Sequence, residues 1–130
     1  MAEHANVSLL RRGYEAFAKG DVATLTEVFS EDVVWHQPGT NLLSGEYGGR
    51  QAVLAFLGRL APLSGGTFRV ELHDLLASEQ HGAALSRQTA SRQGKQLDAL
   101  VVQVYHIRDG KVTEAWNFFQ DQRLYDEFWS

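Results

Sequence analysis

The chain has no cysteine. That excludes a disulfide framework, a thiol nucleophile and any zinc site built on thiolates, and it suits a reducing cytosol. It has no run of basic residues: Lys and Arg number 12 against 16 Asp and Glu, for a formal net charge of −4. With no basic face to hold phosphates, nucleic acid is not an expected partner. No apolar run approaches the roughly 20 residues that span a bilayer. No basic stretch followed by an apolar one marks a signal peptide. The expectation is a soluble, cytoplasmic protein with no membrane partner. His4, His36, His73, His81 and His106 are scattered without a helical His-x₃-His pair, so no metal site is expected. Gly45, Gly48 and Gly49 do not make a nucleotide fingerprint, and no Gly-x-Ser-x-Gly elbow exists. No cofactor is expected.

What is there amounts to one domain, residues 1–130, ordinary in its 44% hydrophobic and 22% charged content. The stretch Leu97–Phe119 reads as two long strands joined at Asp109-Gly110, a dipeptide that favours a two-residue hairpin. Alternation puts Leu97, Ala99, Val101, Gln103, Tyr105 and Ile107 on one face of the first strand, with Leu100, Val102 and Val104 on the other. On the second strand Ala115, Asn117 and Phe119 share one face, and Val112, Trp116 and Phe118 the other. A strand apolar on both sides must be covered on both sides. Gln103 and Asn117 stand out as polar residues among apolar neighbours.

Ahead of this hairpin, Asn6–Lys19 reads as a helix, with Val7, Leu10, Tyr14 and Phe17 forming one apolar stripe. Gly20 is its C-cap and Asp21 the N-cap of a second helix, Val22–Phe29, whose Val22, Leu25, Val28 and Phe29 turn inward. Asp32–Pro38 is a short strand with Val33, Trp35 and Gln37 on one face and Val34 and His36 on the other. Thr40–Gly49 is loop, with an edge strand at Gly45–Tyr47. Gly49–Leu60 is a third helix stopped by Pro62. After a turn at Ser64–Gly66 come strands Thr67–Ser78 and Gly82–Arg92, then a turn over Ser91–Lys95. The tail Asp121–Trp129 is a short helix. Helices early and strands late predict an α+β domain: a curved antiparallel sheet with three N-terminal helices on one face. The second face needs a cover, and the simplest is another copy of the chain, a two-fold homodimer through the sheet.

This order, with YEAFAKGD, SEDVVWHQPG and GKVTEAW, resembles the nuclear transport factor 2-like superfamily, and within it the SnoaL-like, ketosteroid isomerase-related branch. The resemblance implies a cone-shaped barrel around an apolar cavity, and a homodimer. It implies that Tyr14 matches the first-helix tyrosine that donates to an enolate in the isomerases. Gln37 then stands where those enzymes carry a general base. Gln103 stands at their second oxyanion donor, and Asn117 at the cyclases' acid/base position after the last-strand tryptophan. Three carboxylate positions are filled by amides, which exchange hydrogen bonds but cannot shuttle a proton at pH 7.

Read as residues, Tyr14 is either an oxyanion donor or a core aromatic whose hydroxyl finds a partner. His36 is the one obvious replacement base, although alternation sends it to the face opposite Gln37 unless a bulge beside Pro38 intervenes. Gln37, Gln103 and Asn117 bond to one another or to a ligand. Phe17, Trp35, Phe56, Tyr105 and Phe119 either line a pocket for a flat apolar ligand or fill the core. Asp98 and Arg87 read as edge charges. The expected function is a cofactor-independent isomerase or cyclase acting on a small hydrophobic carbonyl compound, polyketide- or steroid-like. In it Tyr14 and Asn117 steady an oxyanion, and His36 or an ordered water moves the proton. The alternatives are a non-catalytic binding module with the same cavity, and a dimeric interaction protein whose cavity its own side chains fill.

Overall fold

The computed structural model describes residues 3–130. They form α1 (Ala5–Lys19), α2 (Val22–Val28), β1 (Phe29–Gln37), β2 (Gly45–Gly48), α3 (Arg50–Leu57) and α4 (Leu60–Leu63). These are followed by β3 (Arg69–Ala77), β4 (His81–Arg92), β5 (Lys95–Arg108), β6 (Lys111–Phe119) and α5 (Gln122–Phe128). The six strands make one curved sheet in the order β2-β1-β6-β5-β4-β3. The helices-then-strands order is the one the sequence predicts. Two details differ from a closed antiparallel barrel. The sheet stays open, with β2 and β3 as its edges, and β1 runs parallel to β6 while every other pair is antiparallel. A parallel pair needs a long crossover; here everything from β2 to β5 serves as one, and no local pattern announces it. No helix among the described residues is long and apolar enough to cross a membrane.

Asp109 and Gly110 both take positive φ, 52° and 72°, the geometry of a type I′ turn between β5 and β6. Gln93 and Gly94 repeat it between β4 and β5, at 51° and 77°. Strand pairing therefore runs to Arg92 and resumes at Lys95, through most of the stretch read as a turn. The turn expected over Ser91–Lys95 is thus present but tightened to two residues, with glutamine at a positive φ uncommon for it. In β6, Ile107 pairs with Val112 but His106 pairs with Glu114, so Thr113 is an extra residue. That bulge reverses the alternation. Val112, expected on the outer face, is buried on the inner one beside Ala115 and Asn117.

Local signals explain the helices. Gly20 closes α1 in the left-handed conformation, and Asp21 accepts from the Thr24 amide at 3.1 Å to start α2. α2 stops at Val28 because Phe29 is already extended. Leu25, Val28 and Phe29 are buried as expected, but Val22, in the first turn beyond the sheet's cover, is 59% exposed. The third helix ends at Leu57, not Leu60. Pro62 sits inside the short α4, within a first turn where its missing N–H costs nothing. α5 folds back over one end of the sheet, with Tyr125 stacked on Phe119 at 3.6 Å and Trp129 fully buried against Phe68 and Phe128.

The helices cover only the inner face. There Leu97, Val101, Tyr105 and Ile107 are buried, while on the outer face Leu100 is 54% exposed, Val102 39% and Phe118 56%. Gly82 on β4 sets how closely α1 lies on the sheet: a Cβ there would stand 2.5 Å from Leu10 Cδ1 and 3.3 Å from Ile107 Cδ1. We expect Gly82→Ala to cost about 1–3 kcal/mol of stability in urea unfolding through overpacking alone. Trimming Leu10 in the same background should recover part of that loss. A neutral Gly82→Ala would mean that α1 can slide.

Candidate functional site

Between the helices and the inner face lies a cavity of about 70 Å³, measured as the space open to the centres of water molecules. One water needs about 10–15 Å³ on that measure, so the space admits something larger. Most of its walls follow from strand alternation or helical spacing. Leu10, Tyr14 and Phe17 come from the α1 stripe, Phe29, Trp35 and Gln37 from β1, and Gln103 and Tyr105 from β5. β6 contributes Val112 and Asn117, β4 contributes Gln88, and Phe56 and Tyr125 come from α3 and α5. Among the described residues no Asp, Glu, His, Lys or Arg lines it.

Its polar atoms form one connected row. Gln103 pairs with Asn117 across β5 and β6, and the parallel β1 brings Gln37 alongside Asn117. Trp35 Nε1 donates to Gln37 Oε1 at 3.0 Å, and Asn117 Nδ2 donates to the same oxygen at 2.7 Å. Gln103 Nε2 donates to Asn117 Oδ1 at 2.5 Å. At the far end Gln103 Oε1 accepts from the hydroxyls of Tyr14 and Tyr105, which are themselves 2.6 Å apart. Separately, the Tyr125 hydroxyl donates to Gln88 Oε1 at 2.8 Å. A buried polar group left alone costs about 1–3 kcal/mol, and pairing the amides and phenols with one another removes most of that penalty. Trp35 is held for this role by edge or tilted contacts with Phe29, Phe56 and Tyr105 at centroid distances of 5.6–6.4 Å.

Eight of the ten residues singled out from sequence meet at this cavity: Tyr14, Phe17, Trp35, Gln37, Phe56, Gln103, Tyr105 and Asn117. His36 does not. No bulge forms beside Pro38, so strict alternation holds and the ring lies on the outer face. There it is stacked on Trp116, with Nε2 2.6 Å from Glu114 Oε2. Phe119 points inward, but α5 covers it, and its ring supports Tyr125 instead of lining the cavity. Asp98 and Arg87 pair with each other on the exposed outer face. The reading from sequence missed Gln88 and Tyr125. Gln88 carried a signal like that of Gln103 but shared it with Ser86, both polar and in step with Ala84 and Ala90 on a buried strand face. Tyr125 could not be found that way, because only the fold-back of α5 brings it over the cavity. No cluster of three His, Asp or Glu among the described residues could hold a metal ion.

Burial pushes the Tyr14 hydroxyl well above the usual phenol range, and the neighbouring Tyr105 pushes it further. Burial also raises Tyr105, with the Tyr14 hydrogen bond partly offsetting it. It raises Tyr125 too, against the opposing effect of Trp129 and Gln37 beside it. These phenols hold their protons more tightly folded than unfolded. Their stabilising contribution is therefore intact below an unfolded value of about 10 and is lost as pH climbs above it towards the folded values. Each contributes a slope of up to about 1.4 kcal/mol per pH unit in that window. We expect urea unfolding to show lower stability at pH 11 than at pH 9, with Tyr105→Phe losing about 1 kcal/mol less across the same step. An equal loss in the variant would mean that Tyr105 ionises freely.

Residues 10–115 match the SnoaL-like domain. The uncharacterized protein Rv0034 of Mycobacterium tuberculosis is 36% identical over 131 residues, covering all of both chains. Among solved structures, Bal32a from a soil-derived mobile gene cassette superposes with a TM-score of 0.93 at 39% identity, over 97% of each chain. TerC, co-crystallized with polyporic acid, shares the fold at a TM-score of 0.82 and 22% identity, over 95% of this chain and 97% of its own. With that domain match spanning most of its length and full-length relatives above 30% identity, the chain belongs to the SnoaL-like family.

Proposed function

We propose that the protein binds a small, flat, hydrophobic carbonyl compound, polyketide- or steroid-like, in the cavity between α1 and the sheet. The observation that carries this reading is the make-up of the walls: apolar side chains around a row of neutral amides and phenols and a separate Gln88–Tyr125 pair, with no Asp, Glu, His, Lys or Arg among the described residues that line it. Such walls exclude ions and accept an apolar ring with a few oxygen atoms. They do not supply a general base, because His36 faces away and carboxamides do not exchange protons at neutral pH. Chemistry within reach is of the isomerase or cyclase kind, in which the site steadies an oxyanion and holds the substrate folded while the proton moves within the substrate or through water. TerC was crystallized with polyporic acid, and IdmH of Streptomyces antibioticus, 19% identical, carries a provisional polyketide cyclase designation. Both lend the reading a precedent of fold.

The apolar outer face supports a second part of the proposal, a two-fold homodimer through the sheet. Leu100, Val102 and Phe118 lie exposed beside one another there, an apolar grouping of the kind that marks an interaction surface.

Two measurements test these readings. In an amide chemical-shift titration with acetophenone, shifts are expected on α1, β1, β5 and β6 around Tyr14, Gln37, Gln103 and Asn117. Shifts confined to the outer face, or none at millimolar ligand, would remove the cavity as the binding site. Light scattering should give twice the chain mass, and Phe118→Glu should halve it. A wild-type monomer would leave the outer face without a cover.

A further inference from the structure

Gly13 stands in the middle of α1, where glycine is a poor choice. Inside a helix it lowers the folded population about fivefold relative to alanine, because its backbone has more freedom to lose. A glycine is ordinarily kept for a left-handed φ or for a neighbour that leaves no room. Gly20 shows the first, at φ 68°, and Gly82 the second, with Leu10 Cδ1 2.5 Å from where a Cβ would stand. Gly13 shows neither. It lies well inside Ala5–Lys19 and is not among the glycines of positive φ. Beyond its chain neighbours and its own helix backbone, a Cβ there would meet one heavy atom within 4 Å, Val28 Cγ1 at 3.4 Å.

Gly13 nevertheless faces inward. Three residues after Leu10 and four before Phe17, it shares their side of the helix and lines the cavity with them. It is half-buried, whereas Leu10 in the same stripe is only 3% exposed. The room a side chain would take is therefore part of the cavity. The other α1 and α2 side chains on that wall, Leu10, Phe17, Leu25 and Val28, are hydrocarbon, and the Tyr14 hydroxyl is directed to Gln103.

From this we infer that Gly13 is a specificity-determining residue: its missing side chain leaves an apolar notch in the α1 wall that receives a hydrocarbon group of the ligand and sets how large a ligand fits. The inference rests on the cavity being the ligand site, and it places the hydrocarbon end of the ligand against α1 and α2. The cavity has about 70 Å³ open to the centres of water molecules, where one water needs roughly 10–15 Å³. One added methyl group is a substantial share of that space. The helix is thus weaker than it need be at the one position where strengthening it would narrow the site.

The test titrates acetophenone and the larger 2-acetylnaphthalene by NMR into wild type, Gly13→Ala and Gly13→Leu, and follows urea unfolding of each protein. In wild type, 2-acetylnaphthalene is expected to shift the Gly13 amide and the Val28 methyl resonances. In Gly13→Ala the unfolding equilibrium should move about fivefold towards the folded state. In the same variant the affinity for 2-acetylnaphthalene should fall at least about fivefold, and that for acetophenone should change less than about twofold. Gly13→Leu should abolish binding of the larger ketone, and the alanine variant keeps the outcome from hanging on the folding of this bulkier one. A Gly13→Ala protein that binds both ketones as wild type does overturns the inference. So does one less stable than wild type, since the glycine would then serve close packing against Val28. Either result leaves the cavity as a ligand site. If neither ketone shifts a cavity resonance of the wild type, the cavity reading falls, and this inference with it.

Discussion

Three of the four carboxamides in this apolar cavity are held there by bonding to one another and to a donor that cannot turn around. The indole of Trp35 occupies one end of the row and two phenols the other, with Gln37, Asn117 and Gln103 between them. Its six members come from four elements of the chain, so the row also ties together α1, β1, β5 and β6. Loss of an interior member strands polar atoms on both sides, at about 1–3 kcal/mol apiece. The surrounding aromatic packing keeps Trp35 in place, and helix α1 stays seated on the sheet because Gly82 lets Leu10 approach.

That arrangement accounts for the chemical character of the site. Ionised acids would require water or a counter-charge in a space this apolar. Amides and phenols need neither, and the phenols stay protonated because burial makes the charged form costly. The cavity keeps its polarity across the physiological pH range, at the expense of having no proton acceptor near neutrality. Ionisable groups cluster instead on the far side of the sheet, where Glu114 lies between His36 and His106, and Arg87 meets Asp98.

The two faces of the sheet thus divide the labour. The inner face is covered by helices and encloses the cavity; the outer face carries both the charged clusters and the exposed Leu100, Val102 and Phe118. A single β-strand encodes both. In β5 the odd-numbered positions from Leu97 to Ile107 build the inside and the even-numbered ones the outside. The cavity wall and the outer face are therefore coupled, since a one-residue slip of this strand would exchange them.

Much of this was legible in residue order. Period-two alternation gave the inner and outer faces of β5, Asp109-Gly110 marked the central turn, and Gly20-Asp21 separated the first two helices. The amides at positions 37, 103 and 117 were visible as isolated polar residues on apolar faces. Alternation also sent His36 away from Gln37, and the structure keeps to it. Other features needed the folded chain, because they depend on residues far apart in sequence. The parallel pairing of β1 with β6 brings Gln37 to Asn117, and the fold-back of α5 lays Tyr125 over Phe119 and against Gln88. The bulge at Thr113 turns Val112 inward, a change of one residue in register that no local propensity encodes. Periodicity and turn chemistry are local, so the sequence alone determined which side of each strand is wet or dry. Which buried polar atoms meet, and in which direction their hydrogen bonds run, was decided only by the tertiary structure, since those contacts span up to 91 positions of chain.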